Sequence, residues 1–220
     1  MPDDAPTPEQ PRSLAGSLNN VAGLAAIRGD TAAAAALYEK AVRLHRAAGH
    51  DHGIALGLVN LGVMASSLGD FPLAAQRHEE ALRIHRALAD GRSVAMELAH
   101  LGKVALEQGD APRARERYRE CLDIVGEQGD PLCAIELLQG LARLGLADGH
   151  GRAAARLYGA AQPRREEIGA PIEPVDRPRH EQHVGDVRQA LGDDAELDRE
   201  WRLGSAWRLD ETLGEAGSLC

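Results

Sequence analysis

Aromatic residues are scarce: two Trp, three Tyr and one Phe among 220 residues, 3% against 44% for all hydrophobic types. A core with so few large rings must be filled by Ala and Leu, and it offers little bulky lining for a drug-sized apolar pocket. Cysteine is also rare. Cys121, Cys133 and Cys220 stand at spacings that suit neither a disulfide framework nor a zinc site. Val and Ile are too scattered for period-two runs, which removes the usual support for strands. The longest apolar stretches, such as Ile54 to Val59, stop well short of the ~20 residues that a membrane span needs. Met1 to Gln10 carries acids and prolines where a secretory leader would carry basic residues and then an apolar run. Lysine is limited to Lys40 and Lys103, the formal charge is -9, and Glu166 to Cys220 holds 14 acids against 6 arginines. That balance disfavours a nucleic-acid backbone as partner. The expectation is an all-α chain in a reducing cytoplasm, bound to neither membrane nor nucleic acid.

What is present is a period of 40 residues. Val21-Ala22, Leu61-Gly62, Leu101-Gly102 and Leu141-Ala142 recur at that interval, as do Gly29-Asp30, Gly69-Asp70, Gly109-Asp110 and Gly149-His150. So do Ala34, Ala74, Ala114 and Ala154, then Tyr38, His78, Tyr118 and Tyr158, then Ala41, Ala81, Cys121 and Ala161. The glycine can take the left-handed conformation that ends a helix, and the aspartate after it suits the free amides that start the next one. Pro72 and Pro112 fall in a first helical turn, where proline is tolerated. Small residues let the paired helices approach, and the larger ring at 38, 118 and 158 fills the space between neighbours. Cys121 reads as one of these small packing residues. The spacing predicts helices at 13–28, 31–48, 53–68, 71–88, 92–108, 111–127, 132–148 and 151–168. Gly49-His50-Asp51, Ala89-Asp90-Gly91, Gly129-Asp130-Pro131 and Gly169-Ala170-Pro171 separate one pair from the next. Three segments follow: a disordered lead over 1–12, four repeats over 13–169 and a helical cap over 170–220, with helices at 180–191 and 195–202. Trp201, Trp207 and Leu209 are expected to seal the last repeat.

A small residue after Val or Leu, a Gly-Asp turn, then Ala, Tyr and Ala resembles the tetratricopeptide family in its longer, forty-residue form, from Leu14 to Ala161. The resemblance implies a right-handed superhelical solenoid whose first helices line a concave face that binds peptides or proteins. His78 in the aromatic column and His150 in place of the turn aspartate depart from the pattern. A second resemblance runs through Ala154-Ala155-Arg156-Leu157-Tyr158-Gly159-Ala160-Ala161, Glu167-Ile168-Gly169-Ala170-Pro171, Ala190-Leu191-Gly192 and Trp201. This is similar to the C-terminal region of bacterial transcription activators of the LuxR-type ATP-binding and antibiotic-regulatory classes, which implies a regulatory role. These residues contain no phosphate loop ending in Gly-Lys-Ser or Gly-Lys-Thr, and no basic recognition helix.

No serine, cysteine or carboxylate stands in a motif that sets a base beside it, so catalytic residues are not expected. Nor is a cofactor or metal. His50 with His52, and His180 with His183, lack companions at zinc-ligand spacing. His45 and His85 sit near helix ends, where a positive charge suits the dipole. Arg113, Arg115, Arg117 and Arg119 alternate with Glu116 and Glu120 on a solvated helix. The groove is the better candidate. Asn20, Asn60, His100 and Gly140 form one column, and Gly23, Val63, Lys103 and Arg143 form another one turn away on the same face. Asn20 and Asn60 suit a peptide backbone, while Lys103 and Arg143 suit an acidic group that Glu107 partly offsets. The expected function is a protein- or peptide-binding module for an extended, acidic segment. The alternative is a small-molecule effector sensor with its ligand between groove and cap.

Overall fold

The computed structural model describes residues 9–128, 130–172 and 177–219, with backbone only at 9–11, 128, 209 and 210. Among them are eleven helices and no strand. In chain order they are α1 (Glu9–Ile27), α2 (Thr31–Ala47), α3 (Asp51–Ser67), α4 (Phe71–Ala87), α5 (Gly91–Glu107) and α6 (Ala111–Gln128). Then come α7 (Pro131–Ala147), α8 (Gly151–Glu167), α9 (Arg177–Leu191), α10 (Asp194–Ser205) and α11 (Leu209–Gly217). None of the described helices is long and apolar enough to cross a membrane. The chain falls into two compact units, Met1–Glu97 and Leu98–Cys220, whose border lies inside α5. Residues 1–8 of the expected lead, Gly129 and Cys220 lie outside the described residues, as does the side chain of Leu209. Glu9 to Arg12, expected in the lead, are already the first turn of α1, and the Arg12 guanidinium donates to the Ala48 carbonyl.

One turn is used throughout. At Gly69, with φ of +78°, the amide donates to the Ser66 carbonyl while the Asp70 amide reaches back to Ala65. The same pair of bonds recurs around positions 29, 49, 89, 109, 149 and 169. The left-handed residue turns two orphan amides inward onto orphan carbonyls, so the first helix ends with its polar groups satisfied. The next residue then opens the following helix: the Asp30, Asp70, Asp90, Asp110 and Asp130 carboxylates each accept from the amide three residues on. One aspartate therefore serves both helices, and the connection needs only three residues. The described turns between repeats, around 49, 89 and 169, are thus the same as those within them, and the structural period is 20 residues, half the period of the sequence columns.

In the first unit α1 packs on α2, α2 on α3 and α3 on α4. Ala22, Ala34, Ala41, Ala74 and Ala81 are fully buried, so the small columns lie where helix backbones meet. Gly62 lies under the His78 ring, where a Cβ would strike the imidazole. His78 stands in the aromatic column because its Nδ1 pairs with Glu97 at 2.8 Å, both side chains being buried. In the second unit Tyr118 is fully buried with its ring between Gly102 and Gly140, at either of which a Cβ would collide. Cys121 is buried as expected, and it meets Cys133 across α6 and α7 at 3.8 Å, both as free thiols. Sequence spacing had not paired them.

The C-terminal helices join this second unit chiefly through α8, with α11 also on α6 and α9 on α7. Pro163 lies inside α8 and cannot donate to the Gly159 carbonyl one turn earlier. The Ser205 hydroxyl, 3.1 Å from that oxygen, supplies the missing donor from α10. Gly159 and Gly204 let the two backbones touch: a Cβ at 159 would strike the Trp201 carbonyl, and one at 204 the Arg156 carbonyl. Arg156 then ties α8 to α10 through Glu200 at 2.5 Å and to α11 through Glu215 at 3.2 Å, while lying over the Trp207 ring.

Candidate functional site

Within the second unit, α5 brings His100 and Lys103 and α7 brings Gly140 and Arg143 to a single cavity of about 370 Å³. The two sequence columns converge here because both helices present the same face at equivalent positions. Tyr118 and Tyr158 lie at its base, almost fully buried, and their phenolic oxygens have no hydrogen-bond partner among the described residues. Burial raises both phenols well above their ordinary range, so they stay protonated and can only donate or accept as neutral groups. The remaining wall is one that sequence reasoning missed: Gly169 to Ile172 with Arg179, His180 and His183 of α9. The signal was present in the spacing of Arg179 and His183, one turn apart on a single helix face.

The charges sort into paired and unpaired. Arg143 donates to Glu107 at 2.9 Å, and Arg165 reaches Gln139 at 3.0 Å and Glu136 at 3.6 Å. Glu107, expected to offset Lys103, is therefore bonded to Arg143 instead. Lys103 and Arg179 have no ion-pair partner among the described residues. His183 is pushed down to about 4, chiefly by burial and then by the Arg143 guanidinium; His180 is lowered by burial and by Arg165. Both rings are neutral at neutral pH, and the cavity keeps two uncompensated cations.

A second cavity of about 470 Å³ adjoins the first and shares Tyr158, Arg165 and His180 with it. It adds Trp201 to a wall that also includes Pro171 and Ile172. The Trp201 ring lies parallel to Tyr158 with centroids 6.3 Å apart, and its indole N–H donates to Gln162 at 2.9 Å. The scarcity of rings left little bulky lining to be expected for such a pocket. The structure supplies two rings at this one wall, Tyr158 and Trp201, while Tyr38 and Phe71 lie in the first unit.

Asn20 and Asn60 belong to the first unit, the former exposed on α1 and the latter half-buried on α3. The neighbouring Asn19 is the buried one, with an amide oxygen lacking a partner. His45 and His85 do not act as charged groups at helix ends. Both are buried and lowered by that burial, His45 with its ring 3.1 Å from His50 and His85 3.6 Å from Asp90. Arg115, from the basic run on α6, is bonded to Asp148 at 2.6 Å.

Residues 13–87 match the tetratricopeptide repeat family. No curated protein matches the chain. Among solved structures, BtubC of P. vanneervenii is similar at a TM-score of 0.65 and 20% identity, over 90% of this chain and 83% of that one. A putative kinesin light chain of Podosopora anserina with nearly identical TPR-like repeats gives 0.59 and 17%, over 89% and 95%. A single-substitution form of that protein gives 0.60 and 17%, over 89% and 94%. Repeats of this kind are in general protein-interaction modules. The chain therefore has the paired-helix fold of tetratricopeptide solenoids, with that family's own sequence pattern carried by residues 13–87.

Proposed function

We propose that the chain is a non-enzymatic protein-interaction module whose second unit binds an extended, acidic segment of a partner. The observation that carries this reading is the pair of uncompensated cations, Lys103 and Arg179, facing a cavity whose other basic groups are already neutralised. An acidic segment placed there is attracted by both cations without displacing an existing pair. The buried phenols of Tyr118 and Tyr158 supply neutral partners at the base. An array of extended peptides graded in Asp and Glu content tests this. The acidic members are expected to be retained, whereas retention that ignores their charge would refute the reading. In the first unit Asn20 and Asn60 are proposed to hold peptide backbone, because an amide side chain both donates and accepts. The division into four repeats over 13–169 and a cap over 170–220, a cytoplasmic setting, and a regulatory role akin to that of bacterial transcription activators belong to the same proposal. The last rests on the pattern from Ala154 to Trp201.

A second reading is favoured by the adjoining cavity between α8, α9 and α10. Its volume of about 470 Å³ is that of a small-ligand pocket, and Tyr158, Trp201, Pro171 and Ile172 share its walls with the polar Gln139, Gln162, Arg165 and Glu166. The ligand it suits is flat and largely apolar, and it would occupy part of the wall shared with the peptide cavity. Trp201 makes the test direct. Naphthalene and indole carboxylates should change its fluorescence and raise the melting temperature, and an unchanged signal across such a panel would remove this reading.

A further inference from the structure

The outer face of α1 exposes a stripe that every other first helix buries. Leu14, Val21 and Leu24 are 50%, 51% and 57% exposed, whereas their counterparts at 40-residue intervals are at most 9% exposed. Those counterparts are Ile54, Leu61 and Met64 on α3, then Val94, Leu101 and Val104 on α5, then Ala134, Leu141 and Leu144 on α7. Between the first two columns lies Ser17, exposed, where Gly57, Glu97 and Leu137 are buried. In the first unit the equivalent face of α3 receives α2: Ile54, Leu61 and Met64 cluster with Tyr38 and Val42, and Gly57 leaves room for the Val42 side chain. The second unit repeats this with α7 against α6. The α1 stripe thus continues an interface that the chain forms internally, and an apolar helix face of this length is costly to leave in water.

We propose that this stripe docks a second copy of the chain, α1 against α1, antiparallel about a two-fold axis level with residue 19. The stripe is its own complement in that register. Leu14 meets the partner's Leu24, and Ser17 makes room for the partner's Val21, so each bulky residue finds a matching or smaller neighbour. No charged side chain falls within the stripe, so pairing brings no like charges together. The outer face of α8 offers no rival site, because α10 covers it with the two backbones in contact. Association through α1 alone is isologous, and it closes at two chains instead of growing into a fibre.

Sedimentation equilibrium of the full chain from about 5 to about 500 µM reads the association directly. The mass is expected to rise towards two chains, and Val21→Lys is expected to hold it at one, with the wild-type melting temperature at dilutions where both are single, since the residue is exposed. Adding Ser17→Glu to Val21→Lys should restore the dimer, because each introduced ammonium then faces an introduced carboxylate across the axis. A wild-type chain that stays single at the highest concentration would overturn the proposal. So would association undiminished in Val21→Lys, or a double variant that stays single. Loss of a different protein from the Val21→Lys variant, with no self-association in the wild type, would assign the face to a foreign helix and overturn the second-copy reading.

Discussion

Ala89 occupies a turn position where the equivalent described residues are glycine, and it holds φ at +53°. A Cβ in that region costs about 1 to 2 kcal/mol, part of which a glycine would return as chain entropy on unfolding. Ala89→Gly is therefore expected to raise stability by about 0.5 to 1 kcal/mol in chemical denaturation. The His78 and Glu97 pair argues at the same scale. His78→Phe removes one charged partner from a buried carboxylate and should cost about 3 kcal/mol, while His78→Tyr with Glu97→Leu, copying Tyr118 and Leu137, should recover most of it. Four histidines, His45, His85, His180 and His183, have pKa values lowered by burial. Above the ordinary value near 6.5 both states are neutral; below it the unfolded chain takes up protons that the folded chain refuses, down to about 4 for His183. Stability should fall as pH drops through that window. Around His183 stand Arg143 on α7, Glu107 on α5, and Arg179 and Asp186 on α9. His183→Gln removes this ring's share of the proton uptake and should shallow the decline in melting temperature between about pH 7 and about pH 5.

Most of the helices in the repeats were legible because they are bracketed by chemistry that sequence displays: a glycine able to go left-handed, an aspartate able to cap, small residues at fixed intervals. Observed and expected bounds for α2 to α8 differ by no more than two residues at either end. The twenty-residue module was harder to see. Its second turn varies among Gly49-His50, Ala89-Asp90 and Gly169-Ala170, and only the backbone bonds reveal them as equivalent. α11 has no counterpart in the sequence reading, since its anchoring depends on distant residues such as Arg156 and Arg164. The seal at α8 was expected from Trp201 and Trp207, but its closest contacts set Gly159 on the Trp201 carbonyl and Gly204 on the Arg156 carbonyl, and a glycine's need for space cannot be read without its neighbour. Gly159→Ala would push a methyl into the α10 backbone, which has no side-chain freedom with which to yield. Loss of about 2 kcal/mol or more is expected, with α10 and α11 the first to lose hydrogen-exchange protection. Protection equal to the wild type would mean that the contact is looser than described.

For the molecule as a whole, sequence located half of a candidate site and geometry supplied the rest. His100, Lys103 and Arg143 were placed on a shared face by periodicity alone, and they do line a single cavity. What periodicity could not supply is the state of each charge. Arg143 is held by Glu107, which leaves Arg179 as the second open cation lining the cavity with Lys103. The notion of an acidic partner therefore rests on a different pair from the one that the columns suggested. That pair gives the central claim its sharpest test: the affinity of one acidic peptide, selected from the array, for the wild-type chain and for Lys103→Glu with Arg179→Glu, at low and at high salt. Exposed charges are screened over about 10 Å at 0.1 M salt, so both the affinity and the cost of reversing the cations should shrink as salt rises. The account predicts at least tenfold weaker binding of the double variant at low salt, about 1.4 kcal/mol, with melting temperature unchanged. Equal affinity of the two chains at low salt would contradict it and move the binding surface away from this cavity.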